Sequence, residues 1–422
     1  MTAAAATAAT TAGRVVTRER VLGVGYIVIA ILMVVFLGGG IAGEESKFGL
    51  NVGPRPVIPL PDLVVPAQLT VYLLAGICAF AGVVQLLRAG VRWWAVLLGI
   101  VAVCLVAAFL TWAAAGRSMS LVGLMSQTLQ RSVPIAFGAF SGLLCERSGV
   151  VNIAIEGMLL CGAFAAAVAA SIAGNVWVGI AAAIVVGGFL GLLLAVLAIR
   201  YFVDQIIAGT VINIGAAGLT AFLSSKVLVA LPDLNNPPRF LPDKIPGLGD
   251  IPIVGPILFT NSLFVYAMFV LILVIHLALF YTRYGLRVRA VGEHPIAAET
   301  VGIDVVRTRY INVVLGGMMD GFGGAYFTLG STGSFDKGMT AGKGFIGLAA
   351  MIFGGWTPIG AFFASLIFGF ADALQNRLSI LNVGIPSEVL LMVPYIVTIA
   401  VVAGLVGRVR MPAADGKPFR RE

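Results

Sequence analysis

Nineteen Asp and Glu, 27 Lys and Arg and two His are spread over 422 residues, so each polar group that falls inside an apolar run calls for a reason. Asn152, Glu156, Asn213, Asp320, Asp372 and Asn376 all lie in or beside such runs. In hydrocarbon these groups are costly, and those that persist face a cavity, a partner or another helix. They are candidates for a solute path, and each also suits a helix cap or an interhelical hydrogen bond. Phe322, Tyr326 and Phe327 follow Asp320 at helical spacing. They could stack on a flat aromatic solute while Asp320 or Asn213 took its polar edges, and the same spacing suits plain packing. Glu146, Asn152 and Glu156 in ERSGVVNIAIEG equally suit a turn that caps the following helix.

Enzyme chemistry finds no footing. The chain has no GxxxxGK[ST] run, no HExxH and no GxSxG, and only His276 and His294 could serve as imidazole bases. Cys78, Cys104, Cys145 and Cys161 sit in apolar runs without ligand-like spacing, so they read as small hydrophobes and not as a metal site or disulfide framework.

The elements that must position these residues follow from composition. With 59% hydrophobic and 11% charged residues and a mean hydropathy of +1.03, the chain has too little polar surface to cover a soluble globule. It reads as an all-α polytopic membrane protein. The net charge of +8 gathers at span ends and in the tail, which marks orientation and not nucleic-acid binding. Gly pairs four apart, Gly138 with Gly142, Gly187 with Gly191 and Gly317 with Gly321, offer small faces for close helix packing.

Residues 1–20 read as a disordered cytoplasmic tail ending in Arg14, Arg18 and Arg20, and residues 21–115 as N-terminal transmembrane helices with an outside loop at 43–66. Arg88 and Arg92 mark an inside turn. Residues 116–406 form the larger core, and 407–422 a basic cytoplasmic tail. Within the core, Arg131 and Pro134 in mid-span imply a kinked helix facing protein or a cavity. Residues 232–260 carry seven prolines and read as an outside loop, as does SFDKGMTAGKG. GGWTPIG interrupts the apolar run 345–376, so two short or re-entrant helices are expected there, before a last span over 388–406. The total is about 10–12 membrane segments.

The one long charged island of the C-terminal half is residues 283–309, whose five arginines hold it on the inside. In GEHPIAAETVGI, Ile296, Ala297, Thr300 and Val301 recur at spacings of three and four, after Pro295. This is a short helix that either links two spans along the membrane surface or docks on a cytoplasmic partner.

RAVGEHPIAAETVGI resembles the cytoplasmic coupling segment of ATP-binding cassette importer permeases of the branched-chain amino acid, ribose and nucleoside family. ERSGVVNIAIEGMLLCGAF is similar to the signature of the simple-sugar and nucleoside branch, and KGFIGLAAMIFGGWTPIGAFFASLIFGFADALQ is a third match in the same order. The three blocks cover roughly residues 121–406. The resemblance implies a type II importer-like fold in which Gly292, Glu293, Pro295, Ala297, Ala298, Gly302 and Ile303 form the ATPase contact. On the residues themselves, the candidate solute path is drawn from Asn152, Glu156, Asn213, Asp320, Phe322, Tyr326 and Asp372. ATP and Mg would be bound by a partner ATPase and no cofactor by this chain. An extracytoplasmic binding lipoprotein and a second permease subunit, related or identical, would complete a complex in the bacterial plasma membrane. The solute would be a nucleoside or a related sugar-like molecule. Two other classes remain open on the residues alone: an ion-coupled secondary transporter whose ion site is Asp320 or Asp372 in the broken run, and a membrane scaffold without a path.

Overall fold

The computed structural model describes residues 18–51, 58–87, 94–381, 389, 392 and 411–420. The tail through Arg14, for which disorder is expected, the expected Arg88 and Arg92 turn, Arg408, Arg410 and nearly all of the expected span 388–406 lie outside the described residues. The chain divides into two compact units that meet in sequence at Leu121.

The first unit holds α1 (Arg18–Leu32), which continues as a π-helical turn at Met33–Leu37, then α2 (Ala67–Leu87) and α3 (Trp94–Ala113). Tyr26, Met33, Val71, Cys78, Val101 and Cys104 form its core. The expected 43–66 loop is partly a small sheet. β1 (Glu45–Gly49) pairs antiparallel with β2 (Leu63–Pro66), Phe48 opposite Leu63, and parallel with β3 (Ser118–Ser120), Phe48 opposite Met119. Ser46 and Phe48 point inward while Glu45 and Lys47 point out, the period-two alternation of a half-buried strand.

The second unit carries α4 (Leu121–Arg147), α5 (Ile155–Ala173), α6 (Val176–Ala195, extended by a π turn to Arg200) and α7 (Gln205–Leu223, extended to Leu228). The proline-rich stretch folds into 3-10 turns, a two-residue pairing of β4 (Asp243–Lys244) with β5 (Thr260–Asn261), and α8 (Val254–Leu258) between them. α9 (Leu263–Tyr281), α10 (Arg283–Glu293), α11 (Pro295–Thr300), α12 (Val305–Ala325, extended to Thr332), α13 (Lys343–Phe353) and α14 (Pro358–Leu381) follow. Asn175, Asp204 and Asp304 cap α6, α7 and α12 by accepting from backbone amides.

Among the described residues eight helices are long and apolar enough to cross a membrane. α4 and α12, at 27 and 21 residues, also match a core of about 30 Å at about 1.5 Å per residue, despite Arg131 and Asp320. Together with the short α13 this agrees with a polytopic all-α fold of the size the sequence implies.

Two of the glycine pairs face each other. A methyl group on Gly187 would lie 2.2 Å from the Gly317 carbonyl oxygen, and one on Gly321 would lie 2.1 Å from that of Ala183, so α6 and α12 cross with backbones in contact. Gly162 of α5 meets Gly321 from the other side. The third pair, Gly138 and Gly142, faces Gly347, Ile155 and Met351.

The break at 354–357 falls where GGWTPIG predicts it, with a different outcome on its far side. α13 has 11 residues and is too short to cross, but α14 has 24, because its apolar pattern runs on past Asn376 to Leu381. Of the two short helices expected from the sequence, one is a full-length span.

Candidate functional site

Helix register places two helix starts deep inside the second unit. Along α4, Gly138 lies against Gly344 and Gly347, Gly142 against Met351, and Glu146 bonds Trp356. α13 therefore runs alongside α4 in the same direction and begins some nine residues short of the end of α4, about 13 Å at the usual rise. The C-terminal end of SFDKGMTAGKG, read from sequence as lying in outside water, thus dips into the bundle. α5 does likewise: after a turn at 148–149, residues 150–153 run without helical structure, Val151 N donates to Gln205 Oε1 at 2.7 Å, and Gly209 packs on Ile153 and Ala154. This stretch climbs along α7 from its first turn, and α5 begins only at the level of Asn213.

The predicted path residues hold these two starts together. Glu156, one residue into α5, accepts from Thr340 Oγ1 at 2.6 Å, Gly342 N at 2.8 Å and Gly344 N at 2.7 Å. A carboxylate at the first turn of α13 meets its free amides and its dipole. Asn213 accepts from Gly157 N and donates to the Ile153 carbonyl, both at 2.7 Å, so it clamps the turn into α5. Asn152 receives Ala154 N at 3.0 Å and donates to Ser141 Oγ at 3.2 Å, and Ser141 donates to Asp320 Oδ2 at 2.6 Å. All three of these residues are buried, and Asp320 Oδ1 has no hydrogen-bond partner among the described residues. Four of the seven candidates therefore serve the backbone or a buried network.

Phe322 and Tyr326 join a ring cluster with Phe137 and Phe264, centroids 5.0 to 5.7 Å apart, within the main core. Asp372 is different. Its Oδ2 takes Arg131 Nη1 at 3.1 Å and Lys343 Nζ at 3.3 Å, and the Arg131 side chain is 40% exposed. Arg131, Lys343, Asp372 and Glu156 together bring two positive and two negative groups to the start of α13. Sequence reading gave Asp372 and noticed Arg131, but their partnership spans 241 residues and no local pattern announces it.

At the end of the bundle where α4 finishes, the charged island forms two helices. Thr282 caps α10. His294 Nδ1 accepts from Ala297 N at 3.4 Å and Pro295 opens α11, and Gly302, at φ 83°, ends that turn. Of the expected contact residues, Gly292 and Ala298 face inward. A methyl group on Gly292 would lie 2.2 Å from the Arg147 carbonyl, and Ala298 packs with Val291, Val305 and Phe419, with Ile303 at the edge. Pro295 is half-buried, and Glu293, Ala297 and Gly302 are exposed. The prominent outward groups are Ile296, 60% exposed, and Val301, 75% exposed.

The described part of the basic tail, 411–420, is docked on this platform. Ala414 N donates to the Gly292 carbonyl at 2.9 Å, Ala413 N to Glu293 Oε2 at 3.3 Å, and Arg309 Nη1 to the Lys417 carbonyl at 3.0 Å. Phe419 fills the small core under α11 and Arg420 lies over Phe202 at 5.2 Å. Asp415 faces Glu146 and Arg309. Burial raises its carboxyl to about 6, against the pull of Glu146, the Gly416 amide and Arg309. Sequence reading took the tail for a charge signal only; its Phe419, an aromatic in a basic terminus, was the available hint. Among the described residues no group of acidic, His or Cys side chains could hold a metal.

The family model for the branched-chain amino acid transport system permease component matches residues 124–402. The chain belongs to this family. The permease is 39% identical over 301 residues to the guanosine ABC transporter permease protein NupQ of Bacillus subtilis, covering 69% of this chain and 94% of that one. It is 37% identical over 303 residues to the nucleoside ABC transporter permease protein NupC of Lactococcus lactis, covering 69% and 95%. No solved structure matches it. The permease is thus a multi-pass membrane transport subunit, of a family that works with ATPase and solute-binding partners. The matched region begins within α4 and takes in both helix starts and the whole platform of α10 and α11.

Proposed function

We propose that this chain forms the membrane path of an ATP-driven importer of nucleosides. The observation that carries the reading is α11, a short capped helix between two long spans whose Ile296 and Val301 stand out into solvent. Such large apolar groups on a polar surface mark a docking site. A separate ATPase seats on the face formed by Glu293, Ile296, Ala297, Val301 and Gly302, and it is that subunit that binds ATP and Mg. Gly292, Ala298 and Ile303 support that face from beneath. The arginines of 283–309 keep it, and both termini, on the cytoplasmic side of the bacterial plasma membrane. A second permease, related or identical, closes the path, and an extracytoplasmic lipoprotein delivers solute to the opposite end.

The nucleoside reading is supported by the two relatives, a guanosine permease and a nucleoside permease. The path runs past Arg131, Lys343 and Asp372, since a guanidinium exposed at this depth faces water or protein and not lipid. Asn152, Glu156, Asn213 and Asp320 shape the path by fixing its backbone, and Phe322 and Tyr326 back it. Uptake of labelled guanosine by cells with and without the gene tests the reading, with unlabelled nucleosides, pentoses and amino acids as competitors. Loss of uptake with the gene, and competition by nucleosides alone, is expected; competition by pentoses or amino acids alone contradicts it.

A further inference from the structure

Trp356 sits in the break between α13 and α14 with φ 51°. A bulky residue in the left-handed region is strained, and glycine would occupy it without cost. Two glycines, Gly354 and Gly355, stand immediately before it, so the indole at 356 has a use that outweighs the strain. The structure shows three bonds. Trp356 Nε1 donates to Glu146 Oε2 at 2.6 Å, and its carbonyl accepts from Arg147 Nε at 2.8 Å and Nη2 at 2.6 Å. The two-pronged bond from the Arg147 guanidinium is of the strong, geometrically specific kind.

Glu146 and Arg147 are the last two residues of α4. The Arg147 carbonyl presses on Gly292 at the end of α10, and the Gly292 carbonyl is held by Ala414 N of the docked tail. The Arg147 and Arg289 guanidiniums share the Phe280 ring, at 5.8 and 5.1 Å. On its other side Trp356 continues through Gly354, which packs on Gly360 and Ala361, into α13, whose start is bound by Glu156. A continuous packed line therefore joins the α10–α11 platform to the polar junction inside the bundle.

We infer that the grip of Glu146 and Arg147 on Trp356 is the joint that carries displacement of α10 and α11 into α13, and so into the junction where α5 and α13 begin. These three are positioning residues, and their role rests on the ATP-driven reading above. α13 is short, bounded by a glycine break at one end and a carboxylate cap at the other, so it can shift as a rigid piece once the joint moves.

Three variants separate this role from simple folding support. Trp356→Phe keeps an aromatic ring and loses the Nε1 donor, Arg147→Lys keeps the charge and loses the two-pronged grip, and Trp356→Gly removes both strain and ring. Each is assembled with its ATPase and binding protein in proteoliposomes, and guanosine uptake and ATP hydrolysis are read together. The expected result is hydrolysis within about twofold of the original with uptake per ATP reduced by about tenfold, the size of one strong hydrogen bond, and more for Trp356→Gly. Unchanged uptake per ATP in all three overturns the inference. So does a parallel fall of hydrolysis, uptake and assembled complex, which is the pattern of mere structural support. An unaltered complex without ATP-dependent uptake overturns the functional reading, and this inference with it.

Discussion

In the unit of α1 to α3, a methyl group on Gly25, Gly76 or Gly99 would meet nothing within 4 Å, whereas on Gly187, Gly317 or Gly321 of the second unit it would strike a carbonyl oxygen at 2.1 to 2.3 Å. The three spans of the first unit are 22%, 33% and 28% buried, as α7 and α9 of the second are at 28% each, whereas α5 and α14, which flank the internal breaks, are 56% and 61% buried. The first unit touches closely at the α1–α2 crossing, through Gly23 and Gly82, and otherwise presents apolar side chains outward, as lipid-facing helices do. The second unit spends its small residues on backbone contact and its polar residues on broken helices. The family match begins within α4 and leaves the first unit out. The family match therefore falls on the unit with the close α6–α12 crossing and the irregular backbone.

Substitutions can break this contrast or sharpen it. The largest effect is expected from Ile296→Asp with Val301→Asp, which removes two exposed apolar anchors worth about 1.5 to 3 kcal/mol each when buried in an interface. Capture of the ATPase by the purified permease should fall by at least about a hundredfold, with the permease itself intact by size-exclusion chromatography. Next, Gly321→Val forces a branched side chain into the Ala183 carbonyl and should lower stability by about 1 to 3 kcal/mol or more, read as a drop in thermal unfolding temperature. Gly76→Ala in the first unit should change it by no more than about 0.5 kcal/mol. Equal effects at the two sites would dissolve the comparison.

Glu156→Gln should cost about 1 to 2 kcal/mol, since a charged cap with three bonds becomes a neutral one. Guanosine uptake should fall about tenfold while ATPase capture is unaffected. The smallest expected effect concerns the tail. Asp415 has a raised pKa of about 6 in the fold, so the folded form favours its proton. That contribution is present in full below the ordinary carboxylate pKa near 3.9 and fades as pH rises through about 6. The tail should therefore be held more tightly at pH 5 than at pH 7.5, as protection of its backbone amides from hydrogen exchange, with the titratable Glu146 and the Arg309 guanidinium facing it. Asp415→Asn should flatten that difference.

Much of this was legible in the residues. Composition gave the class, GGWTPIG gave the break, the spaced glycines gave small faces for close packing without saying which helices they join, and residues 292–303 gave a short helix at the surface. What sequence could not supply was depth. An apolar run does not say whether its helix starts at the membrane surface or halfway in, and residues 148–154 and 340–344 lie inside the bundle because α7 and Glu156 satisfy their backbone. Nor could it tell which side of a six-residue helix faces out: Ala297 and Ala298 are neighbours with opposite exposures. Asn152, Asn213 and Asp320 suited either a solute path or a cap or interhelical bond in the sequence, and their hydrogen bonds go to the protein's own backbone and Ser141.

The account stands on ATP, hydrolysed by a separate subunit, as the source of energy. Proteoliposomes containing this chain alone, or with its permease partner, ATPase and binding protein, can be loaded with ATP while proton and sodium gradients are imposed or collapsed. Guanosine should accumulate only in the complete, ATP-loaded vesicles, and collapsing both gradients should leave the rate unchanged. Accumulation by the chain alone under a proton or sodium gradient, without ATP, would contradict the central claim and return Asp320 and Asp372 to the role of an ion site.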